Sequence, residues 1–296
     1  MRQDLDLLQG AIDIHVHSAP DLYPRIQDHA ELARAAREAG FRALVLKSHN
    51  FPTAARAVMV RKELPGIDVF GSITLNLHVG RLNPIAVEAA IKYGARQIWF
   101  PTVDSVNHAA LVGGETGQHG KGLVVAGGLS EYTRKAPRIR VVGPDGALPP
   151  EVREILRLIA EANVILNMGH ISYEEMERLI PAARASGVRK IVVEHPYFSK
   201  ITLEQQEKLV AAGALINYTA GELLPRWWRV SVEGFVAGIR RIGVANTALS
   251  SDCGQVHNPP PVEAIRITVQ LLLEEGFSPA EIRTMLHENP ARLLYD

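Results

Sequence analysis

The sequence predicts an α/β chain folded as a single-domain (β/α)₈ barrel spanning residues 1–296, and three observations carry that prediction. Eight short apolar runs alternate with amphipathic, helix-like stretches, which is the pattern of a parallel sheet with helical crossovers. With 296 residues, 47% of them hydrophobic and 22% charged, the chain can bury one barrel-sized core. Histidine, lysine or aspartate stands at or just past the ends of runs one, two, five, six and eight, and a closed barrel brings all its strand ends to one face. An open doubly wound sheet is the competitor, but SAPDLYPR after the first run lacks the glycine-rich turn that cradles a pyrophosphate.

In order, a short helix-like start leads to strand one at 11–17, AIDIHVH. HAELARAAREAG follows as a helix stopped by Gly40. FRALVLKSHN and IDVFGSITLN give strands two and three, with FPTAARAVMVRKEL and NPIAVEAAIKYG as their helices. ARQIWFPTVD is strand four, VILNMGHIS strand five, KIVVEHPYF strand six, ALINYTAG strand seven and NTALSSDCGQ strand eight. PPEVREILRLIAEA, SYEEMERLIPAARASG, TLEQQEKLVAAG, VEGFVAGIRRIG and PPVEAIRITVQLLLEEG are the remaining helices. Residues 105–149 break the spacing: a long connection with GGETGQHGKG, the basic stretch TRKAPR, and a Gly-Pro-Asp-Gly that predicts a hairpin. Its place after strand four predicts a lid over the barrel mouth. The tail opens with Ser278 and Glu281 in capping-box spacing and ends in NPARLLYD.

Charge balance excludes some partners. Lys+Arg and Asp+Glu are equal at 32 each, so no global field recruits nucleic acid or an anionic membrane. No apolar stretch reaches the roughly 18 residues that span a bilayer, and the acidic start MRQDLDLLQG is unlike a signal peptide. One cysteine allows no internal disulfide. The expectation is a cytoplasmic protein acting on a small molecule.

The chemistry centres on the histidines. His15 and His17, two apart in a strand, point to the same face, and a barrel would gather them with His170, His195 and Asp252. Singly, each has a plainer role: Asp252 in SSDCG caps a turn, His195 before Pro196 bonds backbone, and His170 sits in a loop. Jointly they read as a divalent metal site, with zinc fitting imidazole and carboxylate donors best and manganese, iron or nickel also compatible. A divalent ion brings the pKa of coordinated water to roughly 7, and Asp252 is the candidate to take its proton.

DIHVH on strand one, His170, His195, Asp252 and the terminal NPARLL together resemble the amidohydrolase superfamily of metal-dependent hydrolases over the whole chain. The resemblance implies His15, His17, His170 and Asp252 as metal ligands, Asp252 also as base, and His195 as a second-metal ligand or, in one-metal members, a group facing water and substrate. Strand four, QIWFPTVD, lacks the lysine or glutamate that bridges two ions, which favours one metal; Asp104 lies slightly beyond that place, where it is either a ligand or a cap. Lys47 and His49 share a face on strand two and are candidate catalytic groups outside the family pattern. Arg134, Lys135, Arg138 and Arg226 are candidates to hold a substrate carboxylate or phosphate, and Trp227 and Trp228 fit either a flat substrate or a homo-oligomer contact. The leading function is hydrolysis of an amide, ester, lactone or phosphoester; the alternatives are a metal-dependent decarboxylase and a non-catalytic binding barrel.

Overall fold

The computed structural model describes residues 3–117, 125 and 127–296. Its strands are β1 (Ile12–His17), β2 (Ala43–Lys47), β3 (Asp68–Thr74), β4 (Ala95–Trp99), β5 (Ile165–Asn167), β6 (Ile191–Glu194), β7 (Leu215–Thr219) and β8 (Thr247–Ser250). They are parallel and neighbour one another in sequence order. Past the end of β8 the chain bonds back to β1: Asp252 N donates to His15 O and His17 N to Cys253 O, both at 2.9 Å. The fold is the (β/α)₈ barrel that the sequence predicts.

Both faces of the sheet are covered, so its strands are apolar runs and not alternating ones. Ile12, Ile14, Ala43, Val45, Ile165, Val192 and Ala248 cluster at the strands' N-terminal ends, where Leu293 and Leu294 of the last helix (Asn289–Tyr295) close the barrel. The outward residues Val16, Leu44, Leu46, Leu166 and Val193 join helix residues such as Leu32, Leu179 and Val269 in the main core. Capping boxes at Asp28, Ser172, Thr202 and the expected Ser278 start four of the helices by satisfying amides that have no partner within the helix.

β1 carries an irregularity between Asp13 and Val16 that re-aims its last residues toward the mouth. Asp13 fixes it. Its Oδ1 accepts from His15 N at 3.0 Å and from Ser251 N at 3.2 Å, tying the bulge to the end of β8.

Among its described residues, the long connection after β4 holds two short helices, Val106–Val112 and Glu131–Arg134. Asp104 anchors it by accepting from Leu77 N at 2.9 Å and Gly117 N at 2.6 Å, and Arg138 donates to Val103 O at 2.5 Å and Gly114 O at 2.8 Å. The hairpin predicted at Gly-Pro-Asp-Gly is corrected: Gly143 N donates to Ala147 O at 2.8 Å in a tight turn, but no strand flanks it. The amide of Val141 goes to Glu175 Oε1 at 2.7 Å, not to a partner strand. Part of GGETGQHGKG, residues 118–122, lies outside the described residues. Val125 and Leu129 pack with Tyr23 and Trp227, two residues of the mouth.

Candidate metal centre

β1, β6 and β8 each deliver part of the site. One ring nitrogen each from His15 and His195 and a carboxylate oxygen of Asp252 lie within 4.8 Å of one another, room for a single cation. Asp252 Oδ1 is 3.0 Å from His15 Nε2 and 3.2 Å from His17 Nε2.

Proton positions follow from the neighbours. His15 Nδ1 lies 3.0 Å from Glu194 Oε2, and a carboxylate only accepts, so Nδ1 carries hydrogen and Nε2 faces the centre. There it meets the Asp252 oxygen, a second acceptor, and two lone pairs so close call for a proton or a cation between them. Burial works to lower the pKa of His15, but Asp252 and Glu194 outweigh it and hold the pKa above the ordinary value. Lys47 Nζ also approaches His15 Nε2, at 3.0 Å.

His17 differs. Its Nδ1 is 3.1 Å from Arg25 Nη2, and a guanidinium only donates, so the His17 proton sits on Nε2 and points at Asp252. Burial and then the Arg25 charge hold His17 well below its usual pKa, as a neutral donor. His195 is buried, its Nδ1 has no hydrogen-bond partner among the described residues, and burial lowers its pKa to about 4, which leaves a neutral imidazole with a nitrogen available to a metal. Burial works to raise the pKa of Asp252, yet the charge and hydrogen bond of His15, followed by the hydrogen bond of His17, keep it well below the carboxylate range.

His170 lines the same cleft but stands outside the group of three; its ring lies 4.9 Å from that of His195, and its Nδ1 is 2.8 Å from His108 Nδ1. His49 also lines the cleft, with its ring 5.1 Å from that of His17 and its Nδ1 bonded to Thr102 Oγ1 at 2.9 Å. Lys47 is fully buried, with Nζ 4.3 Å from the centre of the Trp99 ring, and burial brings its pKa down to about 8.

The cleft is walled by Tyr23, Phe198, Glu222, Trp227 and Arg229 as well as the histidines. Arg134 and Lys135 are paired with Glu115 and Glu131, Arg138 bonds main-chain carbonyls, and Trp228 is 70% exposed; neither these nor Arg226 line the cleft.

Among the residues of the site that were not singled out from the sequence, Glu194, Arg25 and Glu222 fix its geometry, and Tyr23, Phe198, Arg229 and Gln255 line its cleft. Glu194 has a visible signal, an acidic residue inside the apolar run IVVEHP, and it is held by Asn167 at 2.7 Å and Asn217 at 2.9 Å. Arg25 is fixed by Asp21 Oδ2 at 2.8 Å, and no spacing rule marks it. Glu222, in the turn after β7, accepts from Tyr197 N at 2.8 Å, Phe198 N at 3.1 Å and Thr219 N at 3.3 Å, while burial raises its pKa to about 8.

A family model described as "Family of unknown function (DUF6282)" matches residues 10–217. The chain belongs to this family. The matched span takes in His15, His17, Lys47, His49, His170 and His195 and stops short of Asp252. No curated protein matches the sequence. Solved barrels of the amidohydrolase superfamily do match this family member over nearly its whole length. An amidohydrolase from Pseudomonas aeruginosa is 12% identical with a TM-score of 0.64, covering 100% of this chain and 98% of that one. A 2,6-dihydroxybenzoate decarboxylase from Rhizobium is 10% identical, TM-score 0.56, with 97% and 98% covered. An organophosphorus hydrolase from Deinococcus radiodurans is 14% identical, TM-score 0.58, with 96% and 92% covered. At these identities the likeness is one of fold, and it embraces both hydrolases and a decarboxylase.

Proposed function

We propose that the protein is a cytoplasmic, metal-dependent hydrolase that cleaves an amide, ester, lactone or phosphoester bond of a small molecule. One observation carries the reading: the three donors of His15, His195 and Asp252 converge within 4.8 Å, with the outer nitrogen of His15 tied to a carboxylate. Nitrogen and oxygen donors of this kind suit zinc best, with manganese, iron or nickel as substitutes. One ion is favoured over two, because among the described residues no second such group of donors exists. When bound, the ion supplies Lewis-acid polarisation and acidified water.

The chain's own residues do the rest. Asp252, ionised at neutral pH, accepts the proton of the attacking water, while the Nε2 proton of His17 steadies it. Lys47 faces the centre from β2 and polarises the substrate oxygen on which charge develops. His170 and His49 line the approach as further ligand or substrate contacts. Residues 105–149 serve as the cover of a single barrel domain, a reading supported by the packing of Val125 and Leu129 on Tyr23 and Trp227. The exposed Trp228 offers a surface for self-association.

A decarboxylase is the second reading, favoured by three cationic side chains in the cleft, Arg25, Lys47 and Arg229, which suit a carboxylate substrate. Elemental analysis of protein purified without chelator, with a screen of esters, lactones, amides, phosphoesters and aromatic acids, tests both. About one equivalent of metal and incorporation of solvent oxygen into product are expected. Carbon dioxide release without oxygen incorporation would establish the lyase, and protein purified free of metal would remove both readings.

A further inference from the structure

The three cations that line the cleft differ in what their hydrogens already do. Arg25 directs Nε and Nη2 at Asp21 Oδ2, at 2.9 and 2.8 Å, and Nη2 also at His17. Lys47 turns its ammonium to His15. The Arg229 guanidinium makes no hydrogen bond or ion pair with any described residue; it lies over Phe198, whose ring centre is 5.2 Å from Cζ.

Its backbone is nevertheless fixed. Arg229 N donates to Glu222 O at 2.8 Å, so the residue is held at the cleft wall. Glu222, the nearest carboxylate in that wall, gives its oxygens to three main-chain amides and forms no ion pair with Arg229. A guanidinium whose donors meet no acceptor among the described residues, beside Phe198 and the half-buried Trp227, matches an anion in one plane and a flat body against the rings.

We propose that Arg229, with Trp227 and Phe198, forms the subsite that takes the carboxylate or phosphoryl group of a flat, aromatic-bodied substrate and so places its reacting bond toward the metal centre. The placement of the bond rests on the enzyme reading above; the subsite itself is testable without turnover.

The test is calorimetric titration of the protein as purified with benzoate, phenyl phosphate and neutral benzyl alcohol. Arg229→Gln should weaken binding of the preferred anion by about tenfold or more, as expected for loss of a charge-assisted contact, and Arg229→Lys should recover part of it. Arg226→Gln should leave all three probes unchanged, and benzyl alcohol should be indifferent to every substitution. Whichever anion binds more tightly identifies the group. Binding of both anions by Arg229→Gln within about twofold of the unsubstituted protein, or no binding of either anion to the latter, overturns the subsite. A protein that binds benzoate through Arg229 but turns nothing over would sink the enzyme reading and leave the subsite standing.

Discussion

Glu194 is the residue on which the orientation of His15 depends, because its carboxylate fixes the proton on Nδ1. Glu194→Gln keeps the volume and removes the charge, and metal affinity measured against a competing chelator should fall roughly 10- to 100-fold. Undiminished affinity would show that His15 is oriented by something else. His29 gives a stability prediction at the same scale. It is buried against Ser18 Oγ, and burial, followed by Arg56, lowers its pKa to about 4. Between pH 6.5 and 4 the unfolded chain therefore binds a proton that the folded one does not, so stability declines as pH falls through that window and is unaffected above it. The effect is about 3 kcal/mol over the whole window, and urea midpoints of His29→Gln should lose that acid-side slope. Imidazoles are legible in a sequence because few other roles place them at strand ends. Arg25 and Glu222 are not, and Glu194 shows only as an acidic residue within an apolar run, since their function is to fix a neighbour's proton or a loop's amides, which depends on residues distant in the chain.

At the scale of elements, the bulge in β1 and the turn after β8 build the mouth together. Gly254 has φ +123°, and a Cβ there would sit 1.9 Å from His17 O. Gly254→Ala must push the two segments apart, breaking the His17 N to Cys253 O bond. A loss of roughly 2–4 kcal/mol in denaturant unfolding is expected, together with weakened metal binding; a wild-type midpoint would contradict the contact. All eight strands were legible, because a strand covered on both faces is rich in apolar residues, as in ALVLK of β2 and IVVE of β6. The misread hairpin shows the limit. Gly-Pro-Asp-Gly encodes the turn correctly, but whether its flanks pair is settled by Glu175, which arrives from the helix Tyr173–Ala185 and takes the Val141 amide.

For the whole molecule, closure of the barrel and assembly of the candidate metal centre draw on the same residues, since β8 meets β1 through Ser251, Asp252 and Cys253. An ion bound at 1,000 times its dissociation constant would add about 4 kcal/mol to stability. Removing it with chelator should lower the melting temperature measurably, and a melting curve indifferent to chelator would argue against an ion bridging β1, β6 and β8. The barrel was legible from alternation and length, whereas the reaction is not, because hydrolases and a decarboxylase share this architecture.

Cys253 follows Asp252, is fully shielded from solvent, and burial, then the Asp252 and Asp13 carboxylates, pushes its thiol well above the ordinary range. Its side chain packs with Ala220, Ala264 and Leu224 while its carbonyl accepts from His17 N, so an alkylating reagent reaches this lone thiol when the segment after β8 lifts from its neighbours. Its labelling rate is thus a clock for transient opening of the very seam that holds the histidines, read in the intact protein without any substitution.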